Sequence, residues 1–152
     1  MISGFVSQVE ATSLKRYCVN DTLNYILSNF EAKCLELQIA FIVTVEIESL
    51  DTDEIIFSSI LSNALDNALN AQKDLPVAER KIKLMMKTSN DKLLLSIKNP
   101  FDKTPVFVDG LPISTQKGHG YGTQSIRYMT ERLGGNYQFA IQDNYFILRI
   151  VL

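Results

Sequence analysis

Asn63, Asn67 and Asn70 stand at i, i+4 and i+7 in the stretch "SSILSNALDNALNAQ", with Asp66 beside them. On an α-helix that spacing points all three side chains within about 60° of one another. Asparagine prefers caps and turns to helix interiors, so three on one face of a mostly apolar segment need a reason. One reading is a solvated stripe. The other is chemical: an amide carbonyl oxygen is a neutral ligand suited to a hard cation such as Mg²⁺. Beside nucleotide phosphates, Mg²⁺ takes few protein ligands and keeps several waters.

A second stretch, "QKGHGYGTQSIRYM" (116–129), places Gly118, Gly120 and Gly122 in five positions, with His119 and Tyr121 between them, in a chain of seven glycines. It reads either as a mobile loop or as a cradle for phosphate. Glycine admits close backbone approach and positive φ, and successive backbone N–H groups form an anion-binding concavity. A helix beginning there adds its unpaired N–H groups and positive dipole end, and Lys117 adds a charge. The order G-x-G-x-G after a proline-containing loop is not a dinucleotide fingerprint, which needs G-x-G-x-x-G directly after a strand. Lysine preceding the glycines also excludes a Walker P-loop.

The surrounding sequence supplies elements to hold both stretches. Leu23, Ile26, Leu27, Phe30, Cys34 and Leu37 recur at three- and four-residue steps, predicting an amphipathic helix over 19–38 capped by Asn20 or Asp21. "IAFIVTVEI" (39–47) reads as a strand. Asp53 caps a helix over 54–73, and the lack of charge from Ile55 to Leu65 predicts that this helix is largely buried. "RKIKLMMKTS" and "KLLLSIKN" form a hairpin through "ND". Residues 100–117 hold three of the four prolines and show no sustained period, predicting a long loop. A helix over about 122–133 stops at Gly134–Gly135, and "NYQFAIQ" and "YFILRIVL" close the chain as a second hairpin through "DN". Helices and paired strands alternate without a regular βαβ rhythm. The fold class expected is α/β (α+β): a two-layer sandwich of a mixed, mostly antiparallel sheet with about three helices on one face.

Composition narrows the function. The 152 residues are 46% hydrophobic and 21% charged, with a net charge of −2, an ordinary globular balance. That charge suggests no large basic face, so nucleic acid is not an expected partner, and no direct membrane contact is expected from this segment. The longest apolar run, 39–45, is far short of the roughly 20 residues that cross a bilayer, and the N-terminus is not a secretory signal. Cys18 and Cys34 are sixteen residues apart on helical spacing, far from the single histidine. They read as buried or semi-buried thiols.

Together, "NALDNALNA" and, fifty residues later, "GHGYGTQSI" resemble the N-box and glycine box of the GHKL ATPase superfamily, and specifically its sensor histidine kinases. The wording looks most like the peptide-pheromone (quorum-sensing) branch, and the similarity covers roughly 19–152. It implies a Bergerat-type ATP-binding fold, with residues 1–18 a remnant of a preceding linker or dimerisation helix. It also implies that Asn67 ligates Mg²⁺, that Asn63 lies near the triphosphate with Asn70 on the same face, and that Gly118, Gly120 and Gly122 wrap the phosphates. Lys117, His119 and Tyr121 fall within that nucleotide-binding set, and 100–117 becomes a lid. The family's adenine-reading Asp, in an Asp-x-Gly-x-Gly box, is replaced here by Asn99 at the end of "SIKN". "DGLP", with Asp109, is the rival placement.

The activity implied is transfer of the γ-phosphate of Mg-ATP to a histidine on a separate domain or subunit. The hydrolysing relatives carry a glutamate base four residues before the metal asparagine. Here Asn63 stands in that place, and an amide is a poor base. A neutral imidazole is already a nucleophile near pH 7, so transfer rests on positioning and charge neutralisation. His119, within the glycine stretch, is not the expected acceptor. The partners implied are the His-containing dimerisation domain of a parent kinase and a downstream response regulator. This would be the cytoplasmic domain of a membrane sensor. A non-catalytic nucleotide-binding module and a GHKL-type ATP hydrolase are the alternatives.

Overall fold

The computed structural model describes residues 17–113 and 121–152. In chain order these form α1 (Asp21–Glu36), β1 (Ala40–Glu46), α2 (Glu54–Gln72), a 3₁₀ turn (Val77–Glu79), β2 (Lys81–Ser89) and β3 (Lys92–Pro100). Then come β4 (Val106–Val108), β5 (Leu111–Ile113), α3 (Tyr121–Arg132), β6 (Asn136–Gln142) and β7 (Tyr145–Val151).

Five strands make one sheet in the order β1-β2-β3-β7-β6. β1 pairs with β2 in parallel, and every other pairing is antiparallel. The parallel pair follows from connectivity, because α2 carries the chain back between β1 and β2. The remaining strands join through two-residue turns at Asn90–Asp91 and Asp143–Asn144, all four at φ between 52° and 64°. Asn and Asp tolerate this left-handed backbone, which matches the twist of a hairpin.

Alternation along the strands decides which face is covered. Ile82, Leu84 and Met86 on β2, Leu95 and Ile97 on β3, and Leu148 and Ile150 on β7 are all buried and neighbour one another in register. α1 packs on β1 and α2, α2 on β2 and β3, and α3 on α2 and β6. The helices therefore form one layer on one face of the sheet. Each of these large apolar side chains contributes about 1.5–3 kcal/mol by leaving water.

The caps are as expected, with Asn20 rather than Asp21 taking the first. Its Oδ1 accepts from Leu23 N at 2.9 Å, and Asp53 Oδ1 accepts from Ile56 N at 2.9 Å. Buried Asn24 ties the entering chain to α1: its Oδ1 accepts from Tyr17 N and Cys18 N at 2.9 and 2.8 Å, while Nδ2 donates to Cys18 O. Cys34 is buried and Cys18 half-buried, and both are free thiols. Arg80 joins three elements, donating to Leu75 O at 3.1 Å and to Leu37 O at 2.7 Å as it leads into β2.

Three expectations are corrected. α2 is not buried all round: Phe57, Ile60, Leu61, Ala64, Leu65 and Ala68 face the core, while Ile55 is 80% exposed and the serines and asparagines form an open stripe. Absence of charge reflected a polar but neutral face. The segment 100–117 is not an unstructured loop throughout, because β4 and β5 pair across Asp109–Gly110, at φ 53° and 78°. "DG" between short apolar runs is a hairpin signal, and its three-residue strands were too short to show a period. Finally, the small net charge conceals a basic sheet face, described below.

Candidate functional site

α2 and α3 lie side by side and leave a cleft of about 700 Å³ between them. Ser58, Ser59, Ser62 and Asn63 line it from α2, and Gln124, Ser125, Tyr128 and Met129 from α3. The wall is therefore rich in neutral hydrogen-bonding groups. α3 turns Thr123, Ile126 and Thr130 inward, at steps of three and four, and this spacing presents Gln124, Ser125 and Tyr128 elsewhere on its surface.

Asn63 and Asn67 are half-buried and Asn70 and Asp66 are exposed. Only Asn63 lines the cleft, with Asn67 one helical turn further along and Asn70 a turn beyond. Among the described residues none of the three amides is tied up in a side-chain hydrogen bond. Their carbonyl oxygens are open to a ligand. Among the described residues no group of three His, Cys, Asp or Glu side chains converges, so no carboxylate cage is built. Amide oxygens alone suit Mg²⁺ only where a ligand's own phosphates supply the negative charge, and that is the chemistry this donor set fits.

Gly122 lies in the first turn of α3, whose leading N–H groups have no partner within the helix. A Cβ built on Gly122 meets nothing within 4 Å and its φ is not positive. The fold itself does not require glycine there. Tyr121 opens α3. Lys117, Gly118, His119 and Gly120 lie outside the described residues.

Asn99 is 2% exposed, near the end of β3 on its helix-facing side, opposite Phe146. Its Nδ2 donates to Pro100 O at 2.9 Å, which fixes the amide and leaves Oδ1 as the acceptor. Asp109 sits instead in the exposed tip of the β4–β5 turn. Sequence reasoning missed the aromatic ladder beside Asn99. Phe107 of β4 stacks on Phe146 at 6.3 Å between ring centroids, and Phe146 stacks on Phe139 at 5.8 Å. With buried Leu111 and a contact between β5 and α3, this ladder seats the β4–β5 hairpin against the main sheet. The signal was the alternation of "VFV", too short to read alone.

A family model described as "GHKL domain" matches residues 53–152, from the cap of α2 to the end of the chain. No curated protein sequence matches. Among solved structures, the chain is similar to a nucleotide-free form of the catalytic domain of histidine kinase ThkA, at 22% identity and a TM-score of 0.68, over 90% of this chain and 94% of that one. It is also similar to the histidine kinase AdeS of Acinetobacter baumannii, at 17% identity and 0.61, covering 99% and 77%. A third is ThkA in complex with the response regulator protein TrrA, at 21% identity and 0.60, covering 99% of this chain and 47% of that one. The mixed five-stranded sheet backed by three helices is thus the fold of histidine kinase catalytic domains. With the family match spanning both the asparagine helix and the glycine stretch, the chain belongs to the GHKL family.

Proposed function

We propose that this chain binds Mg-ATP between α2, Asn99 and the start of α3, and donates the γ-phosphate to a histidine on a separate domain or subunit. The observation that carries this reading is the row of unengaged amides on α2, which begins at Asn63 in the cleft against α3, in a GHKL chain. Mg²⁺, when bound, would neutralise charge on the phosphate oxygens, with Asn67 as its protein ligand. Asn63 then orients the triphosphate from the cleft wall. Asn99 Oδ1 accepts from the adenine amino group, and the glycines 118–122 with the α3 N-terminus hold the phosphates. In the transfer the bond from the β,γ-bridging oxygen to the γ-phosphorus breaks and ADP leaves. A bond from an imidazole nitrogen to phosphorus forms, and the imidazolium gives up a proton. Among the described residues none that lines the cleft is a carboxylate, which favours this over water activation.

By the same reading, the acceptor lies on a His-containing dimerisation domain of a parent kinase. A response regulator then takes the phosphate, the kind of partner the ThkA complex holds. The peptide-pheromone branch, a membrane-anchored parent and a cytoplasmic position for this domain complete the proposal. The test mixes the chain with an acceptor-helix fragment and γ-labelled ATP. Acid-labile label on the fragment's histidine is the expected result. Tight Mg-ATP binding with no transfer would make the chain a nucleotide-binding module, and steady phosphate release without the fragment would make it a hydrolase. The substitution Asn67→Ala is expected to weaken Mg-ATP binding at least tenfold, read by calorimetry, with the thermal midpoint unchanged.

A further inference from the structure

The sheet face turned away from the helices gathers charge of one sign. By strand register it presents Lys81, Lys83, Lys87, Lys92, Lys98 and Arg149, against the single carboxylate Glu46. That is six of the chain's fifteen cations and one of its seventeen carboxylates, so the rest of the molecule is strongly acidic and the net charge of −2 hides both. Among the described residues none of the six is in an ion pair; Lys83 lies 5.5 Å over the Tyr145 ring and Arg149 donates to Gln142. Lys83 and Lys98 are directly opposite across β2 and β3, and like charges so placed destabilise a sheet. Against an anionic surface that repulsion is relieved.

We infer that this face docks on the surface of a bilayer containing anionic lipid. The cations lie on adjacent strands about 4.8 Å apart, within a Debye length of about 10 Å, and act together. Between them the register places uncharged side chains, Thr44, Met85, Leu94, Ser96 and Ala140 among them, so the cations are spread across the breadth of the sheet. A plane of lysines matches a plane of headgroups. Duplex DNA is read by an element entering a groove, and single strands are held by aromatic platforms; among the described residues the strands present one aromatic ring on this face, Tyr145. Docked this way, the chain leaves the α2/α3 cleft, in the helix layer, open to water. Direct membrane contact thus replaces the expectation that this segment makes none.

Sedimentation with phosphatidylcholine vesicles, with and without a third of phosphatidylglycerol, tests the inference. At 50 mM salt the chain should sediment only with the anionic vesicles and be released by 500 mM salt. Each near-surface cation is worth about fivefold in partitioning, so Lys83→Gln, Lys87→Gln and Lys98→Gln together should lower it about a hundredfold. Circular dichroism checks the fold of that variant, and should it not fold, the salt and lipid dependence of the unaltered chain decides. No sedimentation at low salt, or equal partitioning of a folded variant, overturns the inference. So does stronger binding to polyglutamate or duplex DNA than to vesicles of equal charge. Calorimetry of the variant with Mg-ATP should be unchanged, separating this outcome from that of the nucleotide site.

Discussion

Asparagine does three different jobs in this chain, and its surroundings decide which. Asn24 is fully engaged and structural, Asn99 is fixed by one bond with its oxygen left over, and Asn63 and Asn67 are unengaged on a helix face. Cys34 illustrates how burial sets chemistry. Desolvation first, and the nearby Glu31 carboxylate second, push its thiol from the ordinary 9.0 up to about 12. At pH 8, iodoacetamide should modify half-buried Cys18 in the native chain and spare Cys34, as mass spectrometry of the digest would show. The neutral thiol's contribution to stability is full below about pH 9, where the unfolded thiol is protonated too. It is lost as pH rises towards 12, because only the unfolded chain ionises there. The urea midpoint should therefore fall more steeply between pH 9 and 11 for the unaltered chain than for Cys34→Ala; equal slopes would contradict this. The placement of the amides at 63 and 67 was legible from the helical period, and that of Asn99 from its position near a strand end. Gln72, whose Oε1 accepts from Lys81 N at 2.9 Å, and Arg80, which reaches Leu37 forty-three positions away, were not. Their partners are brought near only by the fold.

Elements show the same division. The long helices and the main strands announce themselves through sustained periods and caps, and the hairpin turns through Asn and Asp at positions needing positive φ. The β4–β5 hairpin escaped because three residues per strand give no period, and the Phe107–Phe146–Phe139 ladder joins it to the main sheet. Glycines separate structural from ligand-side demands. At Gly135 a Cβ would strike Leu152 and would lie 2.6 Å from the Val151 carbonyl oxygen, which is fixed backbone. Gly135→Ala should cost about 1–3 kcal/mol and lower the thermal midpoint by several degrees. Gly122→Ala meets open space and should leave that midpoint unchanged. Any loss of Mg-ATP affinity in that variant would come from the ligand's approach to the backbone. A midpoint drop at 122, or none at 135, would refute the packing described.

At the scale of the whole molecule the two layers divide the work. The helix layer carries the neutral, hydrogen-bonding cleft, and the opposite sheet face carries the lysines. Layer order was readable from the alternation of strand and helix patterns. The charge segregation was not, because a sum over the chain averages two faces that only strand register separates. Among the described residues no helix is long and apolar enough to cross a membrane. The central claim is that the α2 amides and the start of α3 converge on one magnesium-bridged triphosphate. Calorimetric titration of the folded chain with ATP, in Mg²⁺ and then in EDTA, tests it most directly. Saturable heat that is lost in EDTA and weakened at least tenfold by Asn67→Ala is the result predicted. No heat in Mg²⁺, or heat indifferent to that substitution, would contradict it.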